Sequence, residues 1–199
     1  SISPSKEFTI IGHGFAGSKE MMRQIAYDIA NAGSNAVLFD FIGHGSNQKK
    51  LINQPAEIAG TTQQLVAQLS DIIKFIHEKF GNEISISLVG HSMASDIVIR
   101  ASADERIKSV VAISPYSTGI TPDFPKDLLL ISGQFENHLR SHALKMVKTF
   151  RPDAEENTEY ADERTRRKAS YIKNTGHVSV IYSPQTTKII IDWLKLEDY

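Results

Sequence analysis

The sequence predicts an α/β protein: a doubly wound, mainly parallel six-stranded sheet with helices on both faces. Short apolar runs alternate with amphipathic helical patterns along the whole chain. The connections between strands are long enough for parallel crossovers. We therefore expect one domain over residues 1–199. Right-handed crossovers should place the helices on both faces of the sheet.

The first strand is predicted at residues 7–11, where an apolar run suits a strand that is buried on both faces. A glycine-rich turn follows at residues 12–17. Ser18 is a good N-cap for a helix that runs to about residue 32, and Gly33 is a C-terminal stop. The buried face of this helix should consist of Met22, Ile25, Ala26, Ile29 and Ala30.

The next unit is a second strand at residues 36–41, followed by a polar loop at 46–60. A long amphipathic helix is predicted at residues 61–80, and the third strand at 84–89. The apolar stripe of the long helix consists of Leu65, Leu69, Ile72, Ile73 and Ile76.

The remaining elements continue the alternation. Helices are predicted at residues 93–103, 138–150 and 183–196, and strands at 108–113, 127–131 and 168–173. Residues 151–167 are dense in charges of both signs, so we predict a solvated surface segment with at most one helical turn. The inward-facing residues of the last two helices should be Leu139, Ala143, Met146, Val147, Ile189, Ile190, Trp193 and Leu194.

Composition excludes several classes of function. A formal net charge of -1 gives no electrostatic basis for binding nucleic acid or an anionic membrane. The absence of cysteine excludes disulfides, thiolate metal sites and a cysteine nucleophile. No apolar run is long enough to span a bilayer, and no signal peptide is visible. We expect a cytoplasmic protein without metal or cofactor; the start at Ser1 rather than Met suggests a processed or trimmed terminus.

The stretch G-H-S-M-A, residues 90–94, joins the third predicted strand directly to a helix. Such a turn bends the backbone sharply, and only small residues such as Gly90 and Ala94 leave room for the bend. Ser92 would then be exposed at the carboxyl edge of the sheet, beside the free N–H groups of a helix N-terminus. This context favours a nucleophile. The alternative is that Ser92 simply caps the helix.

A serine nucleophile needs a base, usually histidine, and an acid that orients it. His177 is the best-placed base because it follows the predicted last strand, in N-T-G-H. His91 is next to Ser92, on a turn that should point its side chain elsewhere. His13 and His44 lie in loops at the carboxyl edge of the sheet. His77, His138 and His142 belong to predicted helices.

The acid should lie between nucleophile and base in the chain. Glu136 is in the loop after the fifth strand, at the correct edge. Asp127 is at the opposite end of that strand, and Asp153 and Asp162 belong to the charged segment. The alternative role for Glu136 is a helix-start carboxylate that complements the helix dipole.

An oxyanion hole needs two backbone N–H groups. Met93, the residue after the nucleophile, supplies one, and Phe15 in the turn after the first strand is the best candidate for the other.

Taken together, these turns resemble an α/β-hydrolase of the serine-esterase type over nearly the whole chain. The matching pieces are H-G-F-A-G at 13–17, D-F-I-G-H-G-S at 40–46, G-H-S-M-A at 90–94, G-Q-F-E at 133–136 and G-H at 176–177. The resemblance implies Ser92 as nucleophile, Glu136 as acid and His177 as base. It also implies an oxyanion hole formed by the amides of Phe15 and Met93. Together with right-handed crossovers, the resemblance implies six parallel strands in the spatial order second, first, third, fourth, fifth, sixth.

The sequence departs from the family pattern in four places. Ala94 stands where glycine is usual, and the acid is Glu136 where aspartate is commoner. The usual pair of strands before the H-G turn is missing, and residues 115–126 are too short for a large lid. An open, shallow site would suit small or extended acyl substrates. We expect His44 to be structural and Asp40 to hydrogen-bond backbone in its own turn.

The predicted function is cleavage of carboxylic ester or thioester bonds through an acyl-enzyme, with a small-molecule substrate. Acyl transfer, peptide cleavage and C–C cleavage use the same triad, and the sequence does not separate them. A binding protein on a non-catalytic α/β-hydrolase scaffold is the alternative from another class. Binding has no need of a Ser, Glu and His in this order, which argues against it. The oligomeric state stays open.

Overall fold

The computed structural model describes residues 5–52 and 58–196. Within them, seven strands form one sheet in the order β2-β1-β3-β4-β5-β7-β6. The strands are β1 (Glu7–Gly12), β2 (Asn35–Leu38), β3 (Ser85–His91), β4 (Ile107–Ile113), β5 (Asp127–Gly133), β6 (Glu159–Ala161) and β7 (Arg166–Ile172). All pairs are parallel except β6 with β7.

Five α-helices pack on the two faces of this sheet in the described part of the chain. They are α1 (Arg23–Asn31), α2 (Gln63–Phe80), α3 (Met93–Ala101), α4 (Asn137–Lys148) and α5 (Pro184–Leu194). One apolar cluster combines buried side chains of α2, α3 and α4 with the sheet, and a second combines α1 and α5 with its other face. This is the doubly wound arrangement that the alternating pattern predicts. None of the helices described is both long and apolar enough to cross a membrane.

The predicted order of the parallel strands is confirmed, with β7 in the place of the sixth. The prediction of six strands was incomplete, because the charged segment at 151–167 contains the antiparallel edge strand β6 and the start of β7. Both ends of β6, Glu159 and Ala161, are exposed. A three-residue edge strand in contact with solvent gives neither an apolar run nor a clear alternation, so its sequence resembles that of a surface loop.

Arg167 is the largest departure from the predicted surface segment, because it is fully buried within β7. Its guanidinium donates hydrogen bonds to the carbonyls of Thr121 and Pro125, at 2.7 and 3.0 Å, and to the hydroxyl of Thr149 at 2.9 Å. Burial lowers the pKa of Arg167 to about 10. The buried cation therefore ties the loop before β5 to β7 and α4.

Several predicted boundaries were displaced at element ends. The turn Lys19–Met22 is a 3₁₀-helix, so α1 begins only at Arg23, and Ser18 makes no side-chain capping bond. Ala30, predicted to face inward, is exposed. Strand β2 ends at Leu38, before the predicted residue 41. Residues 1–4 of the lead-in and 53–57 of the predicted polar loop lie outside the described residues.

Candidate active site

The backbone at Ser92 is strained in the way that a strand-to-helix turn requires. Ser92 has φ 54 and ψ -116, between the end of β3 and the start of α3. A Cβ atom on Gly90 would lie 2.4 Å from the carbonyl oxygen of Ala94. The expectation that this bend needs a small residue is thus confirmed at Gly90, and Ala94 itself is fully buried.

The Ser92 hydroxyl faces a histidine and makes no bond to the helix that it precedes. Ser92 occupies the N-cap position of α3, but its side chain makes no capping hydrogen bond. Its Oγ lies 2.9 Å from Nε2 of His177. The simple capping role for Ser92 therefore does not describe this side chain.

The second ring nitrogen of His177 contacts the predicted acid. Nδ1 lies 2.6 Å from Oε1 of Glu136. If Nδ1 carries the proton and donates it to the carboxylate, Nε2 is left to accept the hydroxyl proton of Ser92. The Glu136 side chain is 5% exposed and the His177 side chain 47%, so the acid is sequestered while the ring stays accessible.

The carboxylate of Glu136 is held on both sides. Its Oε2 accepts hydrogen bonds from the Ser114 hydroxyl, at 2.8 Å, and from the backbone N–H of Gly133. Together with His177, these donors occupy both oxygens and fix the orientation of the carboxylate. The alternative role as a free helix-start carboxylate is not what the contacts show.

The other carboxylates considered lie elsewhere. Asp127 is at the opposite end of β5, bonded to Ser109 and Arg166. Asp153 pairs with Arg151 on the surface, and Asp162 accepts backbone N–H groups in the turn between β6 and β7. None of these three is hydrogen-bonded to His177 in the described part of the chain.

Two further histidines surround the site without contacting the Ser92 hydroxyl. His91 is buried, and its Nε2 lies 2.8 Å from the backbone carbonyl oxygen of His177. Burial lowers the pKa of His91 to about 4. His13 is fully buried and accepts the Phe41 N–H at its Nε2, at 3.1 Å, and burial lowers its pKa too. Both rings are therefore neutral near pH 7.

The turn after β2 is built as expected. Asp40 accepts the N–H of Ser46 in its own turn at 2.9 Å, and it also accepts the N–H and ammonium of Lys19 at 2.7 and 2.8 Å. His44 is buried, and its Nδ1 lies 3.0 Å from the carbonyl oxygen of Ile42. Both residues stabilise the loop beside the site.

The residues that carry the two predicted oxyanion donors line the same groove as Ser92. Met93 is the first residue of α3, so its N–H has no partner within the helix. Strands β1 and β3 end side by side, and a Cβ on Gly14 would lie 3.1 Å from Cβ of Ser92. The turn that carries Phe15 therefore passes directly against the candidate nucleophile.

An open groove of about 410 Å³ begins at Ser92 and His177. Its apolar wall is formed by Phe15, Met93, Tyr116 and Leu139. The lining also includes an ion pair, Arg100 to Asp96 at 2.8 Å, so the charge of one side chain is balanced by the other. Most of the larger side chains at the mouth are apolar, which suits an uncharged organic group next to Ser92.

Sequence reasoning missed Ser114. This residue follows β4, has φ 50, and directs its hydroxyl to Glu136. The signal was present, because Ser114 comes directly after an apolar strand at the same sheet edge as Ser92 and Glu136. The contact itself depends on how β4 and β5 lie next to each other.

A family model described as alpha/beta hydrolase fold matches residues 10–188. The chain belongs to this family. No curated protein matches the sequence of this α/β hydrolase. Membership supports a hydrolase at the level of the family.

Solved structures show the same fold at low identity. MenH from S. aureus aligns with a TM-score of 0.72 and 12% identity, covering 98% of this α/β hydrolase and 96% of that chain. Dienelactone hydrolase from Anabaena variabilis aligns with a TM-score of 0.71 and 14% identity, covering 99% of this chain and 89% of that chain. A serine hydrolase without a lid from Xanthomonas campestris aligns with a TM-score of 0.69 and 13% identity, covering 98% of this chain and 84% of that chain.

Proposed function

We infer that the protein is a serine hydrolase that cleaves carboxylic ester or thioester bonds through an acyl-enzyme. Ser92 is the nucleophile, His177 the general base and Glu136 the acid that orients it. The observation that carries this proposal is the unbroken chain of hydrogen-bond contacts from Ser92 Oγ to His177, at 2.9 Å, and from His177 to Glu136, at 2.6 Å. Both distances are within the reach that proton transfer and ring orientation require.

In the first half-reaction, Ser92 Oγ attacks the acyl carbon while Nε2 of His177 takes the hydroxyl proton. The imidazolium that forms is stabilised by Glu136, which keeps its negative charge. His177 then gives the proton to the leaving alcohol or thiol, and the acyl group stays on Ser92. In the second half, His177 takes a proton from water, whose oxygen attacks the acyl carbon. The bond between the acyl group and Ser92 Oγ then breaks, His177 returns the proton to Ser92 Oγ, and the carboxylic acid is released.

The negative oxygen of each tetrahedral intermediate needs donors that are already in place. The amides of Phe15 and Met93 fill this role in the proposal. Their support is the close passage of the Gly14 turn past Ser92 and the free N-terminus of α3.

The groove favours a small-molecule acyl substrate over a deeply enclosed lipid. It is open to solvent, and its wall next to Ser92 is mainly apolar. One structural neighbour is described as a serine hydrolase without a lid, and another as a dienelactone hydrolase. These descriptions agree with an open site, and they do not choose between ester and thioester.

The decisive experiment is labelling with a fluorophosphonate probe, read by intact mass. The native protein should gain one adduct, mapped to Ser92 by peptide sequencing, and the Ser92→Ala variant and the heat-denatured protein should gain none. Absence of labelling and of turnover by the native protein would overturn the proposal and favour a binding scaffold.

Substrate class requires a second measurement. A panel of short-chain esters, thioesters and peptides should show turnover of esters or thioesters that is lost in Ser92→Ala. Turnover restricted to peptides, or product formed only with an added alcohol or amine acceptor, would move the assignment to a peptidase or an acyltransferase with the same three residues.

A further inference from the structure

His91 connects the strand that carries the candidate nucleophile to the loop that carries the candidate base. Its Nε2 lies 2.8 Å from the backbone carbonyl oxygen of His177. A carbonyl can only accept a hydrogen bond, so Nε2 of His91 carries the proton and donates it. Two adjacent residues, His91 and Ser92, therefore hold the backbone and the side chain of His177.

The other nitrogen of His91 contributes no hydrogen bond to the described part of the fold. Nδ1 is buried and makes no hydrogen bond within the described residues. An unsatisfied buried acceptor costs about 1–3 kcal/mol, so an apolar side chain would serve a purely structural position better. The bond from Nε2 is the feature that an apolar side chain could not supply.

The loop that carries His177 is also attached at β5 and β7, and two residues that follow it, Val180 and Ile181, are fully buried in the apolar core. The carbonyl of Thr175 accepts the Phe135 N–H at 3.0 Å, and the hydroxyl of Thr175 donates to Ile172 at 2.9 Å. The His177 side chain is 47% exposed, so packing alone restrains it weakly. His91 supplies the backbone restraint on the side of the nucleophile.

We propose that His91 is a positioning residue, whose Nε2–H bond to the His177 carbonyl holds the base at hydrogen-bond distance from Ser92. This role rests on the proposed function, because it assigns to His91 the placement of the base in that reaction. The bond involves no proton transfer: the ring donates throughout and stays neutral. A misplacement of a base by about 1 Å can lower turnover by about 100-fold.

The surroundings of His91 keep this donor in one protonation state. The titratable groups that face the ring are His177, Glu136 and His13, and the ring centroids of His91 and His177 are 5.1 Å apart. Burial, the largest influence, lowers the pKa of His91 to about 4. The restraint therefore persists unchanged near neutral pH.

The test uses two substitutions of nearly equal shape. His91→Gln places an amide N–H where Nε2 stands, and His91→Met has the same length without a donor. We expect His91→Met to lower kcat for the best ester of the panel by about 10–100-fold with KM little changed, and His91→Gln to restore most of the rate. The fluorophosphonate labelling rate should change in parallel.

A spectroscopic measurement separates positioning from stability and from catalysis. Long-range ¹H–¹⁵N spectra of histidine-labelled protein report which nitrogen of His177 is protonated. In the native protein and in His91→Gln, we expect a single Nδ1-protonated form, and in His91→Met a mixture of both forms. Circular dichroism and thermal melting check that the variants fold; if His91→Met does not, His91→Asn, whose amide is too short to reach the carbonyl, takes its place.

The outcomes are distinct. If the variants without a donor retain the native kcat and the native His177 spectrum, His91 has no positioning role. If the native protein neither labels nor turns over any substrate, but the His177 spectrum still depends on the donor at position 91, the proposed function fails and the structural restraint stands. Loss of rate in His91→Gln equal to that in His91→Met, with both variants folded, would also overturn the proposal.

Discussion

Two hydrogen-bonded clusters, each with a serine and a carboxylate, lie at opposite ends of the same sheet. At the carboxyl edge, Ser92 contacts His177, which contacts Glu136. At the amino edge, Ser109 donates to Asp127, which also accepts the Trp193 indole N–H at 2.8 Å and the Arg166 guanidinium at 2.7 Å.

The difference between the clusters lies in what surrounds each serine, and the proposed reaction depends on those surroundings. Ser109 lies within β4, is buried, and bonds directly to a carboxylate that Arg166 already neutralises. Ser92 lies on a strained turn and faces an imidazole whose side chain is 47% exposed. Only the carboxyl-edge cluster pairs its serine with a histidine. The amino-edge cluster joins β4, β5, β7 and α5, and we expect its role to be stability.

The largest expected effect is on kcat, and it should distinguish Ser92 from Ser109. Replacing Ser92 with Ala should lower kcat by about 10⁴-fold or more without unfolding the protein, because in the proposed reaction the hydroxyl forms the covalent intermediate. Ser109→Ala is the matched control and should leave kcat per folded molecule unchanged while lowering the melting temperature. Steady-state kinetics and thermal melting of both variants check this. Comparable esterase activity in Ser92→Ala would contradict the assignment.

Glu136 and Asp127, the carboxylates of the two clusters, should also differ in their effect on kcat, by a smaller factor than the two serines. Glu136→Gln should lower kcat by about 10²–10⁴-fold with KM little changed, because the imidazolium loses its partner. Asp127→Asn should retain kcat and reduce the free energy of unfolding by about 1–3 kcal/mol, because Arg166 loses its charged partner. Denaturant titration measures the second effect. A large loss of kcat in Asp127→Asn, with the protein folded, would remove the distinction between the clusters.

The smallest effect concerns Asp40, a carboxylate at the carboxyl edge that belongs to the loop and not to the reaction. Burial by itself raises the pKa of Asp40, but hydrogen bonds from Lys19 and Ser46 outweigh it and hold the pKa well below the ordinary value of 3.8. The stabilisation is therefore fully present above about pH 4 and is lost as pH falls through the native pKa.

Asp40→Asn should accordingly reduce the free energy of unfolding by about 2 kcal/mol at pH 7. The gap between the variant and the native protein should narrow as the pH falls below 4. Urea titrations at pH 7, 4 and 3 measure the gap. A gap that is constant from pH 7 to 3, or one that widens on acidification, would show that the carboxylate charge of Asp40 is not what stabilises the loop.

The sequence predicts most of this architecture because buried parallel strands are apolar and their ends are marked by glycine, serine and histidine. Ser92, Glu136 and His177 each follow a strand, so the sheet alone suffices to bring them to one edge. Their roles in catalysis stay predictions. Strand β6 was not predictable in the same way. An exposed edge strand of three residues has no buried face, so its sequence shows no alternation of apolar and polar residues.

Contacts between distant loops form the part that the sequence does not predict. The sequence around Arg167 predicts a surface charge. The carbonyls that accept its hydrogen bonds belong to the loop before β5, and only the fold brings them to Arg167. Likewise, His91 and Ser114 carry no local signal for their partners, because each partner depends on which strands are neighbours. Residue types at strand ends indicate the edge, whereas the hydrogen-bond network at that edge follows from packing.

The bent backbone at Ser92 also affects the stability of the folded protein. A residue with a side chain in such a conformation destabilises the native state by about 1–3 kcal/mol relative to an unstrained one. Ser92→Gly should therefore melt at a higher temperature than Ser92→Ala, since glycine adopts φ 54 without strain. Equal melting temperatures would show that the turn is relaxed. If the difference appears, stability opposes function at this position: the fold would be more robust with a residue that cannot react.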